Sequence, residues 1–321
     1  MIKTKGLRKS FTTKRKRKSS TVDAVRGIDL SVDQGEIFGF LGPNGAGKTT
    51  TLRMLSTLIV PDGGEATIAG ANLLTSPAEV RRRIGYVAQG GGTNEEVTGR
   101  EELLLQARMY GFGKEEAQRR ANSALEAFNL SEYGDRQCMT YSGGQRRRVD
   151  IALGVIHSPS LLFLDEPTAS LDPQSRARMW DEVRRLRAEG MTVFITTHYL
   201  EEADALCDRI AIIDNGEIVA EGTPDQLKHE ISGDVVTVGL DGDDSTSEKA
   251  TDLLKNMSFI RQLEASEDAG LRLYVDDGAT AIPQILRTLD GSGIPFGRME
   301  LSRPSLDDVF LAKTGRSLRE S

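Results

Sequence analysis

The run Gly42-Pro43-Asn44-Gly45-Ala46-Gly47-Lys48-Thr49 decides the fold of this chain. It fits the pattern G-x-x-x-x-G-K-[ST], in which glycines let the backbone wrap so closely that its N–H groups point inward at phosphates. A short apolar run, Ile37–Leu41, precedes it, and apolar residues at helical spacing begin after Gly47. The run is therefore predicted to join a strand to a helix, whose N-terminus adds partial positive charge.

This loop predicts a cradle for a nucleoside triphosphate, with Lys48 at the outer phosphates and Thr49 as a magnesium ligand. An ordinary glycine-rich turn is the alternative, but the strand before the loop and the helix after it favour the cradle. The residues of this segment predicted to bind the nucleotide are Gly42, Pro43, Asn44, Gly45, Ala46, Gly47, Lys48, Thr49 and Thr50.

Two carboxylates follow a second apolar run, Leu161–Leu164, which is typical of a strand buried on both faces. Asp165 lies at the carboxyl end of this strand, where ligands collect in open parallel sheets, so it is predicted to hold magnesium. Glu166 is then placed beside the phosphates to orient or deprotonate the attacking water. Taken alone, this pair would indicate a solvated turn, but the phosphate loop favours the catalytic interpretation.

A second anion-binding helix start is indicated by Ser142-Gly143-Gly144-Gln145. Ser142 is a plausible N-cap, and two glycines open the helix that follows it. A simple phosphate-loop enzyme has no need of such a second site.

The rest of the chain alternates strands and helices. A capping box at Thr98–Glu101 begins a mostly helical stretch to residue 130, and Asp172-Pro173 is predicted to open another helix, with Asp172 as its cap. Apolar runs at 192–197 and 210–213 predict further strands. We therefore expect an α/β domain over 1–230. After residue 230 the order of patterns is β-α-β-β-α-β, which predicts a small α+β accessory domain over 231–321.

Composition excludes several classes of protein. The 321 residues carry a net charge of −7, and 38% of them are hydrophobic, without an apolar run that predicts a membrane span or a secretory signal. We therefore expect a protein of the cytoplasm. Cys138 and Cys207 are far apart, as are His157, His198 and His229, so neither a disulfide framework nor a zinc site is indicated.

Positive charge is concentrated at the N-terminus. Nine of the 41 Lys and Arg residues lie within positions 1–18, which hold no acid, so the remaining chain has 32 bases against 48 acids. An acidic body disfavours binding to the phosphate backbone of nucleic acid. The run Lys14–Lys18 is interpreted most simply as a solvated hairpin tip, with attraction to anionic lipid as a second interpretation and RNA binding as a third.

The three motifs together resemble those of the ATP-binding subunits of ABC transporters. The resemblance extends to Gln89 (the Q-loop), Ser170-Leu171-Asp172 (the D-loop), His198 (the switch histidine) and Phe11, placed where that family stacks an aromatic ring on adenine. It implies a RecA-like mixed sheet with an antiparallel β subdomain and a helical signature subdomain. ATP and Mg²⁺ are the implied ligands, with Thr49, Gln89 and Asp165 at the metal.

The resemblance further implies a head-to-tail homodimer. Each ATP would lie between the phosphate loop of one subunit and the signature helix start of the other, so Ser142, Gly143, Gly144, Gln145 and Asp172 would serve the partner's nucleotide. Lys48, Gln89, Glu166 and His198 are the expected catalytic group. A separate integral-membrane permease is the implied partner, which would place the protein at the cytoplasmic face of the membrane, with no nucleic acid expected.

Tyr141 before the signature, Arg146–Asp150 after it, and the tail Arg303–Leu311 are similar to drug-exporter ATPases of the daunorubicin-resistance type. That similarity implies export of a drug-like or other hydrophobic compound. For the tail, two interpretations stay open: an amphipathic helix that simply docks on the acidic α/β part of the chain, and a regulatory role.

Some alternatives stay open at this point. A basic segment, Thr12–Thr21, separates Phe11 from the following strand, so Phe11 is either the adenine platform or an ordinary edge-strand aromatic. Three glycines after Gln89, Gly90–Gly92, predict a flexible loop. The rival function is an ABC-type ATPase that acts on nucleic acid or the ribosome, whereas a phosphate-loop kinase or GTPase leaves Ser142–Gln145 and His198 unexplained.

Overall fold

The computed structural model describes residues 1–15, 18–230, 233–241, 244–266, 270–302 and 304–315. The chain forms two compact units, the first comprising Met1–Thr223 and the second beginning at Pro224. We propose that the division into a nucleotide-binding domain and an accessory domain, expected at residue 230, lies at this point. Among the residues described, none of the helices combines the length and the apolar character of a membrane span.

Strands and helices alternate through most of the first unit. Its strands are β1 (Ile2–Arg15), β2 (Lys18–Val32), β3 (Ile37–Leu41), β4 (Gly63–Ile68), β5 (Ala71–Asn72), β6 (Ile84–Val87), β7 (Leu161–Asp165), β8 (Thr192–Thr197), β9 (Arg209–Asp214) and β10 (Glu217–Gly222). Its helices are α1 (Lys48–Leu55), α2 (Pro77–Arg83), α3 (Gly99–Met109), α4 (Lys114–Ala127), α5 (Gly143–Val155), α6 (Pro173–Ala188) and α7 (Leu200–Leu206).

A six-stranded mixed sheet, in the order β10-β9-β3-β8-β7-β6, forms the centre of the first unit. Strands β9, β3, β8, β7 and β6 pair in parallel, and β10 pairs with β9 antiparallel. Every residue of β3, β7 and β8 is buried, which explains the apolar runs that these strands contain. The ring of Phe194 lies between those of Phe38 and Phe163, with centroids 5.7 and 5.6 Å away. Because β3, β8 and β7 are parallel, the carboxyl ends of β3 and β7 lie at the same edge of the sheet.

A second, antiparallel sheet has the order β2-β1-β4-β5. Strands β1 and β2 form a long hairpin that pairs from Ile2↔Val32 to Arg15↔Lys18. Residues 12–15 and 18–21 of the basic segment therefore continue the hairpin, and β1 pairs with β4 only as far as Arg8. Residues 16 and 17 of the basic run lie outside the described residues. The mixed sheet, the antiparallel sheet and the helices α3 to α5 confirm the predicted fold class.

Helix starts follow the predicted caps. Thr98 and Glu101 form the capping box of α3, and Ser142 with Gln145 forms that of α5. Asp172 caps α6, with Pro173 as its first residue. These caps fix where each helix begins, and for α5 that start is the predicted anion site.

Acidification is expected to destabilise the first unit through His157, which follows α5. Its Nε2 lies 2.9 Å from the Ile84 carbonyl oxygen, and its ring stacks on Tyr110 with centroids 3.8 Å apart. Burial lowers the pKa of His157, the Ile84 contact opposes that shift, and the charge of Arg120 adds to it. The unfolded chain then binds the proton more readily, so stability falls below about pH 6.5, by at most about 1.4 kcal/mol per pH unit.

Chemical denaturation between pH 7 and pH 5 measures this effect. The His157→Phe variant, which keeps an aromatic ring, should lose less stability on acidification than the unaltered chain. An equal pH slope for both proteins would assign the effect to other groups.

The second unit has the predicted order of elements. Its strands are β11 (Asp234–Leu240), β12 (Ile260–Ser266), β13 (Gly270–Val275) and β14 (Phe296–Ser302), and its helices are α8 (Pro224–Glu230), α9 (Asp244–Leu254), α10 (Gly278–Gly291) and α11 (Leu306–Thr314). The sheet order β12-β13-β11-β14 is antiparallel at each pairing and places β13 between β11 and β12. This is the predicted split βαβ arrangement. Val236, Leu273 and Ile285 belong to its buried core.

The tail motif forms α11, which docks on this second unit through Asp308. The carboxylate is 2% exposed, and its Oδ1 accepts hydrogen bonds from Arg272 and from the Tyr274 hydroxyl, both at 2.9 Å. Its Oδ2 accepts from the backbone and side chain of Ser305 at 2.7 Å. Asp308 therefore caps α11 and also fastens it to β13. Arg303, at the start of the motif, lies outside the described residues.

Asp308→Ala is expected to release α11 from the sheet of the second unit. Without the carboxylate, Arg272 and the Tyr274 hydroxyl lose their hydrogen-bond acceptor. The docking of α11 should then lose about 3 kcal/mol of free energy, which corresponds to amide exchange about 100-fold faster. Hydrogen-exchange mass spectrometry of residues 270–275 and 304–315 measures this loss. Asp276→Ala is the matched control, because Asp276 pairs with Arg261 at the surface and contributes at most about 1 kcal/mol. Equal protection in Asp308→Ala and this control would contradict the docking.

Candidate nucleotide-binding and catalytic site

The loop between β3 and α1 needs glycine at two of its turns. A Cβ at Gly42 would lie 2.3 Å from the Ile213 carbonyl oxygen, and one at Gly47 would lie 2.4 Å from the Ala24 carbonyl oxygen. Gly47 also has φ 108°, a conformation that side chains disfavour. The glycines therefore bring the backbone against β9 and β2 and leave a cleft of about 170 Å³ beside it. The cleft is lined by Ala24, Asn44, Gly45, Gly47, Lys48, Thr49, Thr50, Gln89 and Glu166.

Lys48 folds back over the loop that carries it. Its Nζ donates to the carbonyl oxygens of Gly42 at 2.6 Å and Pro43 at 3.0 Å, and the side chain is 4% exposed. Burial lowers the pKa of Lys48, and the nearby carboxylates of Glu166 and Asp165 oppose that shift. The ammonium is thus a desolvated cation at the floor of the cleft, where its attraction for phosphate is strong.

Glu166 brings together the predicted catalytic side chains. Lys48 Nζ lies 3.5 Å from Glu166 Oε1, and Gln89 Nε2 donates to Glu166 Oε2 at 2.9 Å. His198 Nδ1 lies 3.1 Å from the same Oε2, although the angle is not that of a hydrogen bond. The side chain of Glu166 is 7% exposed, and its backbone has φ 43°, which is unusual for a residue with a side chain. All four predicted catalytic residues therefore meet at one carboxylate.

Asp165, at the end of β7, is not among the residues that line the cleft, but it contacts one of them, Thr49. Its Oδ1 accepts hydrogen bonds from Thr196 Oγ1 at 2.7 Å and from Thr49 Oγ1 at 3.3 Å. The carboxylate of Asp165 and the hydroxyl of Thr49, at the start of α1, are thus adjacent hard oxygen donors, the type that Mg²⁺ prefers.

The structure places the signature residues elsewhere. Ser142 and Gly143 are exposed at the start of α5, and the cleft lining includes none of Ser142–Gln145. Asp172 is also outside that lining, and Ser175 donates two hydrogen bonds to its carboxylate, which lower its pKa. Within one chain, therefore, the predicted second anion site is separate from the cleft beside the phosphate loop.

Phe11 lies on the hairpin near the cleft but not in its lining. It pairs with Val22, and the two side chains are 44% and 59% exposed. Val22 lies two positions before the cleft residue Ala24 on β2, and the register of the hairpin shifts between them, where Lys9 pairs with Val25 and Ser10 with Asp23. Phe11 and Val22 thus form an exposed apolar pair on the hairpin, and the stacking role of Phe11 stays a prediction.

Sequence reasoning missed two residues that shape the site. Thr196 lies near the carboxyl end of β8, and its hydroxyl orients Asp165. A polar residue that follows an apolar run in a buried strand is a sequence signal by which Thr196 could have been predicted. Arg147 is 6% exposed and donates to the carbonyl oxygens of Ala88, Asp165 and Pro167. It stands within a basic run in the sequence, so only the fold distinguishes it from its neighbours.

Comparison with protein families assigns both parts of the chain. The ABC transporter family model matches residues 25–169, and the model of the C-terminal domain of ATP-binding protein DrrA1-3-like matches residues 222–314. The first match includes the phosphate loop, the signature and Asp165–Glu166.

Curated relatives match nearly the whole chain. Daunorubicin resistance ATP-binding protein DrrA2 of Streptomyces coeruleorubidus is 44% identical, over 91% of this chain and 90% of the relative. Doxorubicin resistance ATP-binding protein DrrA of Mycobacterium tuberculosis is 42% identical, over 91% of this chain and 88% of the relative. Linearmycin resistance ATP-binding protein LnrL of Bacillus subtilis is 36% identical, over 92% of this chain and 95% of the relative.

A solved structure matches the first part of the chain. It is the dimeric structure of a post-hydrolysis state of an ATP-binding cassette bound to ADP and Pi, at 27% identity and a TM-score of 0.62. The match covers 70% of this chain and 98% of that cassette.

Proposed function

The chain belongs to the ATP-binding subunits of ABC transporters, and from that premise we propose that two copies bind two ATP molecules head to tail. As a member of this family it is an ATPase subunit that powers a membrane exporter. Each ATP would lie between the phosphate loop of one copy and the start of α5 in the other. The separation of Ser142–Gln145 from the cleft within one chain supports this arrangement.

The convergence of Lys48, Gln89 and His198 on Glu166 carries the proposal. In the closed dimer Lys48 binds the outer phosphates, and the partner's α5 start neutralises the γ-phosphate from the other side. Glu166 then accepts the proton of the attacking water, and His198 holds the γ-phosphate. Most of the acceleration comes from positioning and charge stabilisation, because phosphoryl transfer needs little covalent help from the protein.

Magnesium fits the oxygen donors at the edge of the sheet. Thr49 and Asp165 would hold the ion, and Gln89 reaches the same cleft. When bound, the ion neutralises charge on the β- and γ-phosphates.

The transported compound is proposed to be drug-like or otherwise hydrophobic, because the relatives are named for resistance to daunorubicin, doxorubicin and linearmycin. A separate membrane permease would carry it and would hold this subunit at the cytoplasmic face of the membrane. The rival function, action on nucleic acid or the ribosome, is not favoured by these relatives.

Co-expression with a candidate permease tests this assignment. We expect the chain to sediment with membranes only when the polytopic partner is present, and the purified chain to hydrolyse Mg-ATP. Tight binding to RNA at physiological salt, together with sedimentation unaffected by the permease, would favour the rival function.

A further inference from the structure

The segment after Gln89 is anchored by one buried carboxylate on the signature helix α5. Asp150 is 6% exposed, and its Oδ1 accepts hydrogen bonds from Gly92 N at 2.9 Å, Thr93 N at 3.1 Å and Thr93 Oγ1 at 2.6 Å. Three donors on one oxygen hold this backbone in a single arrangement. The three glycines at 90–92, which alone predict flexibility, therefore lead into an anchored segment.

The glycines allow the carboxylate to approach this closely. At Gly91, where φ is 74°, an added Cβ would lie 2.6 Å from Asp150 Oδ2. At Gly90 and Gly92 an added Cβ would meet nothing within 4 Å. Of the three glycines, Gly91 is thus the one that the contact with Asp150 requires.

The other flank of Gln89 is held by the same helix. Arg147, one turn before Asp150, donates from Nη1 to the Ala88 carbonyl oxygen at 2.7 Å. Its Nε and Nη2 donate to the carbonyl oxygens of Pro167 and Asp165 at 2.9 and 3.1 Å, and Asp150 Oδ2 lies 3.8 Å from its Nη1. Side chains of helix α5 therefore form hydrogen bonds with residue 88 and with residues 92–93, which lie on either side of Gln89.

Farther along, the same segment stays attached to α5 and to the turn before it. Arg146 forms an ion pair of 2.6 Å with Glu95, whose carbonyl oxygen accepts from Met139 N at 3.0 Å. Cys138 N donates to the Val97 carbonyl oxygen at 2.9 Å. A displacement of the α5 start would thus carry residues 92–97 with it.

We infer that Asp150, together with Arg147, is a positioning residue for Gln89. It fixes the position of Gln89 relative to the start of α5. When the α5 start moves as it contacts the partner's ATP, Gln89 therefore moves with it. The inference rests on the proposed head-to-tail function, in which α5 contacts the nucleotide of the other copy. Gln89 in one site thereby depends on the nucleotide in the other site.

A double-mutant cycle between Asp150 and Gln89 tests the inference. Asp150→Ala should lower kcat for ATP about 10- to 100-fold, because a small displacement of a catalytic group costs that much. The equilibrium Kd for ATP should stay within about twofold, because the Lys48 contacts are untouched. In a Gln89→Ala background Asp150→Ala should lower kcat no further, since both changes remove the same positioned group.

Variants on both sides of the contact separate positioning from general destabilisation. Asp150→Asn keeps an acceptor and should retain most of kcat, and Gly91→Ala should reproduce the loss from the loop side. Gly90→Ala is the matched control and should match the unaltered chain.

The inference is overturned if Asp150→Ala has the kcat of the unaltered chain, or if it lowers kcat by the same factor with and without Gln89. A weaker ATP Kd in Asp150→Ala, or an equal loss of kcat in Gly90→Ala, also overturns it. If the unaltered chain itself hydrolyses no ATP, the proposed function fails first.

Discussion

Glu166→Gln is expected to abolish ATP turnover while leaving ATP bound in a stable dimer. The amide has nearly the shape of the carboxylate but cannot accept the proton of the attacking water, so kcat should fall by about 100- to 10,000-fold. Contacts of the phosphates with Lys48 and the loop remain, so ATP should be retained. Steady-state phosphate release and size-exclusion chromatography with ATP measure the two effects.

Glu201→Gln is the matched control for this variant. Glu201 is an exposed glutamate at the start of α7, three residues after His198, and the same charge is lost there. It should hydrolyse ATP as the unaltered chain does. Undiminished hydrolysis by Glu166→Gln would remove Glu166 from the role of general base.

Lys48→Ala is expected to weaken ATP binding by about 10- to 100-fold, the worth of one or two hydrogen bonds to a charged group. The ammonium is buried at the floor of the cleft, so water screens it little. Isothermal titration with ATP in the presence of Mg²⁺ measures the loss.

Two further variants separate lost charge from a collapsed loop. Lys48→Gln keeps a donor for the carbonyl oxygens of Gly42 and Pro43 but carries no charge, and it should bind ATP nearly as weakly as Lys48→Ala. Lys114→Ala, at an exposed position, should bind ATP normally. Unchanged affinity in Lys48→Ala would contradict the cradle.

Much of this fold was predictable, because local patterns agree with the tertiary structure. The apolar run before Asp165 is a fully buried strand, and Thr98, Ser142 and Asp172 cap helices where their sequence predicts. In such segments hydrophobic period and capping chemistry act over a few residues, so sequence alone specifies them.

Other features depend on residues that are distant in the sequence. Gly90–Gly92 reads as a flexible loop until Asp150, from another element, is seen to anchor Gly92 and Thr93. Likewise, the two charges on Arg147 and Asp308 look like surface residues of basic and acidic runs, but both are buried. Arg147 contacts the carbonyl oxygens of Asp165 and Ala88, which are 18 and 59 residues away in sequence. Asp308 contacts Arg272, 36 residues away, in addition to its nearby partner Ser305. These long-range contacts give no signal in the spacing of the sequence.

The composite site in a head-to-tail dimer is the central claim, and mixing two inactive variants tests it most directly. Lys48→Ala damages the phosphate loop and leaves α5 intact, whereas Gly144→Asp puts a negative charge at the start of α5 and leaves the loop intact. Each variant alone should be nearly inactive, but a mixed dimer contains one site with both halves undamaged. Equal mixing should raise the ATPase rate above that of either variant, to at most roughly a quarter of the wild-type rate, since about half the dimers are mixed and each has one undamaged site of two. ATPase activity that stays at the level of the separate variants, while mixed dimers are shown to form, would contradict the account.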